Sequence, residues 1–237
     1  MGAAMGTQRW TMPMLDAHLG GGLVVSCQPV EAGPLDHDES VLRMACAAVA
    51  GGARALRVEG AQRVALVRPA VQVPIIGIVK RDLPGLAVRI TPLLEDVHAL
   101  VQAGADVIAV DATGRSRPCS LQSLLEAIHG GGRVAMADAS CRADALQAWE
   151  FGFDIIGTTL SGYTDGLQVP SEPDLDLVRR LHDAGCRVMA EGRYDTPERA
   201  AQAMRAGAWA VTVGTALTRL EVMTSWFAAG VATGRMG

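Results

Sequence analysis

The stretch "VPIIGIVKRD", Val73 to Asp82, decides how this chain is read. Five of the six residues from Pro74 to Val79 are apolar, with Gly77 among them. An apolar run of that length fits a strand covered on both faces, as in a parallel sheet wrapped by helices. It then stops on Lys80, a charge that a buried strand avoids. For an isolated strand the lysine would be a surface charge closing the element. The remainder of the chain argues for a different reading.

Four segments repeat one pattern: "GGARALRVEG", "GADVIAVDAT", "GFDIIGTTLS" and "GAWAVTVGTA". Each begins on glycine after a helical stretch, which suits a helix C′ position of positive φ, and each then runs apolar to a polar or glycine position. Four further strands interleave with them: "GLVVSCQ", "VPIIGIVK", "GRVAMAD" and "CRVMAEG". Amphipathic stretches lie between. Thr91-Pro92 and Thr196-Pro197 are expected to open helices, with threonine at the N-cap and proline at the first helical position. Eight strands alternating with helices predict an α/β fold, a single-domain (β/α)8 TIM barrel. An open doubly wound sheet would more often show GxGxxG after its first strand, and that motif is absent there. The expected division is an N-terminal extension over 1–14 and a barrel domain over 15–237.

Composition agrees. The 237 residues are 49% hydrophobic, 4% aromatic and 19% charged, enough for one large aliphatic core. A net charge of −4 without a basic run gives no electrostatic case for nucleic acid or a membrane surface as partner. The five cysteines are odd in number and lack CxxC spacing, so the expectation is free thiols and a cytoplasmic location. No stretch of the sequence has the length and apolarity of a signal peptide or membrane span.

Active sites of this fold gather at the C-terminal strand ends. Those ends read Gln28, Arg57 with Glu59, Lys80, Asp111 with Thr113, Asp138, Thr158 with Thr159, Glu191 and Gly214. Any one could be a satisfied loop residue; together they predict a ring of polar groups at one mouth. "EGRYDTPE" and "VGTALTR" place glycine-bearing loops after strands seven and eight, where barrels commonly hold a phosphate. Backbone N–H groups of Gly192, Gly214 and Thr215 are candidates to point at it, with Arg193 or Arg219 supplying charge. No metal and no cofactor is expected, because His18, His37, His98, His129 and His182 all fall away from strand ends. Cys27 has no histidine placed to activate it and reads as a core residue.

Taken together, "GLVVSCQ", "IIGIVKRD", "ITP", "DAT", "AMAD", "TTLSGYT", "EGRYDTPE" and "VGTALTR" resemble the N-acetylmannosamine-6-phosphate 2-epimerases of sialic acid catabolism. The resemblance runs from about Leu19 to Phe227 and keeps the family's motif order and spacing. It implies interconversion of N-acetylmannosamine 6-phosphate and N-acetylglucosamine 6-phosphate without nucleotide or metal, and a homodimer. Carried over by motif, the catalytic lysine falls on Lys80, the catalytic glutamate on Glu191 and the aspartate of "MAD" on Asp138. The substrate-contacting arginine corresponds to Arg57 and the glutamine after "VSC" to Gln28. Gly192, Arg193, Gly214 and Arg219 match the phosphate loops, and Asp111, Thr159 and Tyr163 complete the expected substrate contacts. Two positions depart from the family: Leu220 stands where a proline is usual, and "GRSRP" has less lysine than expected.

Epimerisation at C2 needs a base near neutral pKa, and lysine, ordinarily at about 10.4, must be lowered to serve. Burial would lower Lys80, while an ionised Glu191 would raise it. Either Lys80 alone or Lys80 with Glu191 or Asp138 could handle the two faces of C2. Two other classes remain open at this point: a Schiff-base aldolase acting on a sugar phosphate, and a non-catalytic sugar-phosphate-binding barrel.

Overall fold

The structure, a computed structural model, describes residues 9–164, 166 and 168–234. Strands β1 (Leu23–Cys27), β2 (Ala55–Glu59), β3 (Ile75–Ile78), β4 (Val107–Asp111), β5 (Val134–Asp138), β6 (Ile155–Gly157), β7 (Val188–Glu191) and β8 (Ala210–Val213) pair in sequence order. All pairings are parallel, and β8 pairs with β1 to close the barrel. Helices α2 (Asp38–Ala50), α3 (Ala61–Val67), α4 (Leu94–Ala103), α5 (Leu121–Gly130), α6 (Arg142–Phe151), α7 (Leu175–Asp183) and α8 (Pro197–Arg205) fill the crossovers. This is the (β/α)8 barrel that the eight alternations predict.

The strands have a period of two, so each is apolar on both faces for different reasons. Leu56, Val58, Ile75, Ile108, Val110, Ala137, Ile156 and Val188 face outward and pack with the helices. Val24, Ala55, Ile76, Ile78, Val107, Ala109, Met136, Ile155, Met189 and Ala210 fill the interior. Gly77 marks a close approach: a Cβ there would lie 2.9 Å from both Ala105 Cβ and Leu100 Cδ2, so α4 packs tightly on β3 only because that position is bare.

A helix before the barrel, α1 (Met12–Leu19), inserts Leu15 and Leu19 into the interior cluster, with Trp10 and Met12 packed against it. Those leucines meet the first residues of the strands and plug the N-terminal end. Each is fully buried, which contributes about 1.5–3 kcal/mol apiece. Part of the stretch expected as an extension is thus helical and packed on the barrel; residues 1–8 lie outside the described residues.

Local signals fared unevenly. Gly52, Gly104, Gly152 and Gly207, the repeated helix-ending glycines, have φ of 102°, 90°, 100° and 96°. Thr196 caps α8, accepting a hydrogen bond from Arg199 N–H at 3.2 Å. Thr91 does not cap α4, which begins three residues later with Asp96 accepting from Leu93 N–H at 3.2 Å. Thr91 is taken up elsewhere: its N–H donates to Val79 O at 2.7 Å, and its Oγ1 accepts from Val79 N–H at 3.2 Å. These bonds hold a β-branched residue at φ 45°, a costly conformation. They also peel the chain off β3, which ends at Ile78. Lys80 follows as an isolated antiparallel bridge to Ile90.

Candidate active site

The alternation that fills the interior with aliphatic side chains continues to the C-terminal mouth. One inward position further along its strand lies Arg57, Lys80, Asp111, Asp138 or Glu191, and two positions further lies Gln28, Thr159 or Gly214. All of these except Asp138 line one cavity of about 950 Å³. Tyr163, Gly192, Arg193, Thr215 and Arg219 line it as well, so the sequence-predicted residues converge on one place.

Arg57 lies at the centre of the floor and is 1% exposed. Its Nη1 and Nη2 donate to Asp138 Oδ1 and Oδ2 at 3.1 and 2.6 Å, and Nη1 also donates to Glu191 Oε2 at 3.1 Å. A buried guanidinium is tolerable only when paired this way. Burial works to strip its proton, but Asp138 and Glu191 outweigh that and hold its pKa above the ordinary arginine value. Asp138 is fully buried behind Arg57 and also accepts the Thr159 hydroxyl at 2.6 Å. Space for this cluster comes from Gly157, where a Cβ would lie 2.9 Å from both Asp138 Oδ1 and Thr159 Oγ1.

Lys80 and Glu191 are drawn toward one another in pKa. Burial raises Glu191 first, with Asp138 adding to it, while Arg57 and Lys80 oppose. Burial lowers Lys80, reinforced by the cationic side chains of Arg219, Arg57 and Arg89. The acid opposing that fall is Glu59, whose Oε1 accepts the Lys80 backbone N–H at 3.3 Å. The conflict between burial and a neighbouring carboxylate therefore resolves toward an amine that loses its proton more easily than an ordinary lysine.

The β7 and β8 loops offer donors. After β8 the chain forms a short helix, α9 (Thr215–Thr218), with Gly214 at its N-cap. Among the described residues the N–H groups of Gly192, Gly214 and Thr215 have no intramolecular acceptor. Arg219 lies beside them with its Nε donating to Gln28 O at 3.3 Å.

Residues 41–233 match the family model described as "Putative N-acetylmannosamine-6-phosphate epimerase". The chain belongs to that family. A relative from Klebsiella pneumoniae (strain 342) is 61% identical over 208 residues, covering 87% of this chain and 88% of its own. One from Photobacterium profundum is 58% identical over 210 residues, covering 89% of each. Both bear the name "Putative N-acetylmannosamine-6-phosphate 2-epimerase". The solved structure of the N-acetylmannosamine-6-phosphate 2-epimerase from Clostridium perfringens superposes with a TM-score of 0.89 at 36% identity, over 94% of this chain and 99% of that one. A thiamine phosphate pyrophosphorylase from Pyrococcus furiosus, at 15% identity and TM-score 0.58, shares the fold alone. Neither the aldolase nor the non-catalytic reading is favoured within the epimerase family.

Three side chains have contacts that sequence reading did not anticipate. Arg193 donates to Ser161 O at 2.6 Å and Glu172 O at 2.7 Å, and lies 5.3 Å over the Tyr163 ring. Its contacts fasten the loop between β6 and α7. Asp111 accepts from the Thr113 N–H and hydroxyl at 3.0 and 2.7 Å and from Arg115 at 2.7 Å, so its carboxylate serves to hold Arg115 at the cavity. Arg115 lies in "GRSRP", four residues after Asp111, and that spacing was the available signal. Arg89 also lines the cavity, from the excursion that separates Lys80 from Ile90. Leu220, in the family's proline position, is the exposed first residue of α10 (Leu220–Thr233), where proline would be equally accommodated. The Cys27 thiol is buried among helix-facing side chains and pushed up to about 12 by that burial, unsuited to nucleophilic work. Among the described residues no helix is long and apolar enough to cross a membrane.

Proposed function

We propose that this chain interconverts N-acetylmannosamine 6-phosphate and N-acetylglucosamine 6-phosphate by moving a proton at C2, a step in amino sugar and sialic acid catabolism. The observation that carries the chemistry is a matched pair. An amine lowered by burial and arginines stands just past the end of β3, and a carboxyl raised by burial ends β7, four strands around the closed barrel. Groups so placed serve opposite faces of a carbon held between them.

The sugar reacts in its open-chain aldehyde form. Lys80 Nζ, neutral, takes the C2 proton; the C–H electron pair becomes the C1–C2 double bond, and the carbonyl pair moves onto the C1 oxygen. Cationic donors beside that oxygen stabilise it, an effect worth about 3–4 kcal/mol where single donors have been removed. Arg57 fills this role, held in place by Asp138. Glu191 returns a proton to the other face, and the Lys80 ammonium and Glu191 carboxylate re-equilibrate to reset the site. The phosphate is anchored by the Gly192, Gly214 and Thr215 N–H groups and Arg219, at a loop pair that commonly holds phosphate in barrels.

The same reading includes a homodimer. Helix α10 has no buried residue, and Leu220, Trp226, Phe227 and Val231 are exposed along it; an apolar helix of this kind supports pairing of two copies. Light scattering of the purified protein checks that part. Proton NMR of the protein with N-acetylmannosamine 6-phosphate tests the activity: appearance of N-acetylglucosamine 6-phosphate is expected. No conversion at high enzyme concentration would overturn the reading.

A further inference from the structure

The cavity floor holds a hydroxyl with nothing to bond. Thr212 lies on β8 and is 2% exposed, and its Oγ1 has no hydrogen-bond partner among the described residues. It lines the same cavity as Lys80 and Glu191. Its neighbours along the strand are Ala210, Val211 and Val213, so a valine would satisfy both strand propensity and packing. Burying an unpartnered hydroxyl costs stability, and a bare donor there is informative for that reason.

Its position is defined on three sides. In the barrel register Thr212 lies directly beside Glu191 of β7. Across the β8–β1 seam it is paired with Val24, one inward step below Ser26, whose Oγ is itself occupied by Gln28 Nε2 at 2.7 Å. Two residues further along β8 is Gly214, at the free N–H groups of the phosphate loop. Two residues of strand span roughly 6.6 Å, comparable to the reach from a C6 phosphate back along the sugar chain.

We propose that Thr212 is a substrate-contacting residue, its hydroxyl bonding the C3 or C4 hydroxyl of the open-chain sugar phosphate between the phosphate loop and Lys80. This rests on the epimerase reading above. The contact fixes the chain's rotation about its own axis, and so decides which face of C2 meets Lys80 and which meets Glu191. Arg57, another residue of the same floor, also has an unpartnered polar atom, its Nε.

The test compares Thr212→Val with Thr212→Ser, using 3-deoxy and 4-deoxy analogues of N-acetylmannosamine 6-phosphate. Thr212→Val keeps shape and is expected to fold with unchanged or higher Tm, while kcat/KM with the parent substrate falls about tenfold. Thr212→Ser restores most of that loss. One of the two analogues is expected to lose about the same factor with the wild-type enzyme and nothing further with Thr212→Val. Wild-type kcat/KM in Thr212→Val, or losses that multiply for both analogues, would overturn the proposal and leave the hydroxyl satisfied by water only. An inactive wild-type enzyme would instead overturn the epimerase reading, and this proposal with it.

Discussion

Arg57 meets Asp138 through two parallel hydrogen bonds at 3.1 and 2.6 Å, with Arg57 on the cavity floor and Asp138 sealed behind it. Bidentate geometry fixes the guanidinium plane. The same Nη1 also donates to Glu191 Oε2, so the buried pair helps to orient the Glu191 carboxyl.

Removing Asp138 should therefore damage both fold and activity. Asp138→Ala leaves Arg57 with Glu191 as its remaining partner and is expected to cost about 3 kcal/mol or more. Urea denaturation measures it. A loss under about 1 kcal/mol would mean that water compensates Arg57 and that the pair is not buried as described.

Gly157→Ala tests the same cluster from below. The added methyl would lie 2.6 Å from Met136 Cε and 2.9 Å from Asp138 Oδ1 and Thr159 Oγ1, forcing that group to shift. Overpacking of this kind costs about 1–3 kcal/mol. Activity is expected to fall further than stability, because the displaced carboxylate carries Arg57 with it. Unchanged kcat alongside reduced Tm would separate the cluster from catalysis.

Lys80→Met should have the opposite profile. Lys80 is surrounded by Arg219, Arg57 and Arg89, so deleting its charge relieves repulsion and leaves Tm equal or higher. Turnover is expected to drop by roughly 10²–10⁴-fold, the usual share of a general base. Near-normal turnover would remove Lys80 from the mechanism.

The direction of the Lys80 shift gives a pH prediction. With Lys80 as the proposed base, its neutral amine is the form expected to be active, and kcat/KM is expected to rise with pH through a limb that lies below the ordinary lysine value. Burial sets most of that lowering, and Arg219, Arg57 and Arg89 add to it. Arg89→Gln removes one cation, makes the ammonium easier to keep and moves the limb to higher pH. A limb that stays in place or moves down would contradict the electrostatic account.

How much of this the sequence disclosed depends on the periodicity involved. The barrel was legible because apolar strands, helix-ending glycines and the Thr196 cap all report locally on local structure. The mouth residues were legible because a period of two projects every strand end to the same side. Thr91 misled because its backbone is recruited by Val79, a contact that no local pattern encodes. The contacts of Arg193 are non-local in the same way: it follows a loop glycine, and its guanidinium bonds carbonyls of Ser161 and Glu172. The direction of the Lys80 shift was beyond reach, since it needs Arg219 and Arg89 brought together from distant parts of the chain.

The central claim is proton transfer at C2 between Lys80 and Glu191. Proton NMR in D2O tests it most directly, following N-acetylmannosamine 6-phosphate with the wild-type enzyme and with Lys80→Met. The wild-type product is expected to carry deuterium at C2, and Lys80→Met to yield neither product nor exchange. Product that wholly retains its original C2 hydrogen, or exchange that persists without Lys80, would contradict it.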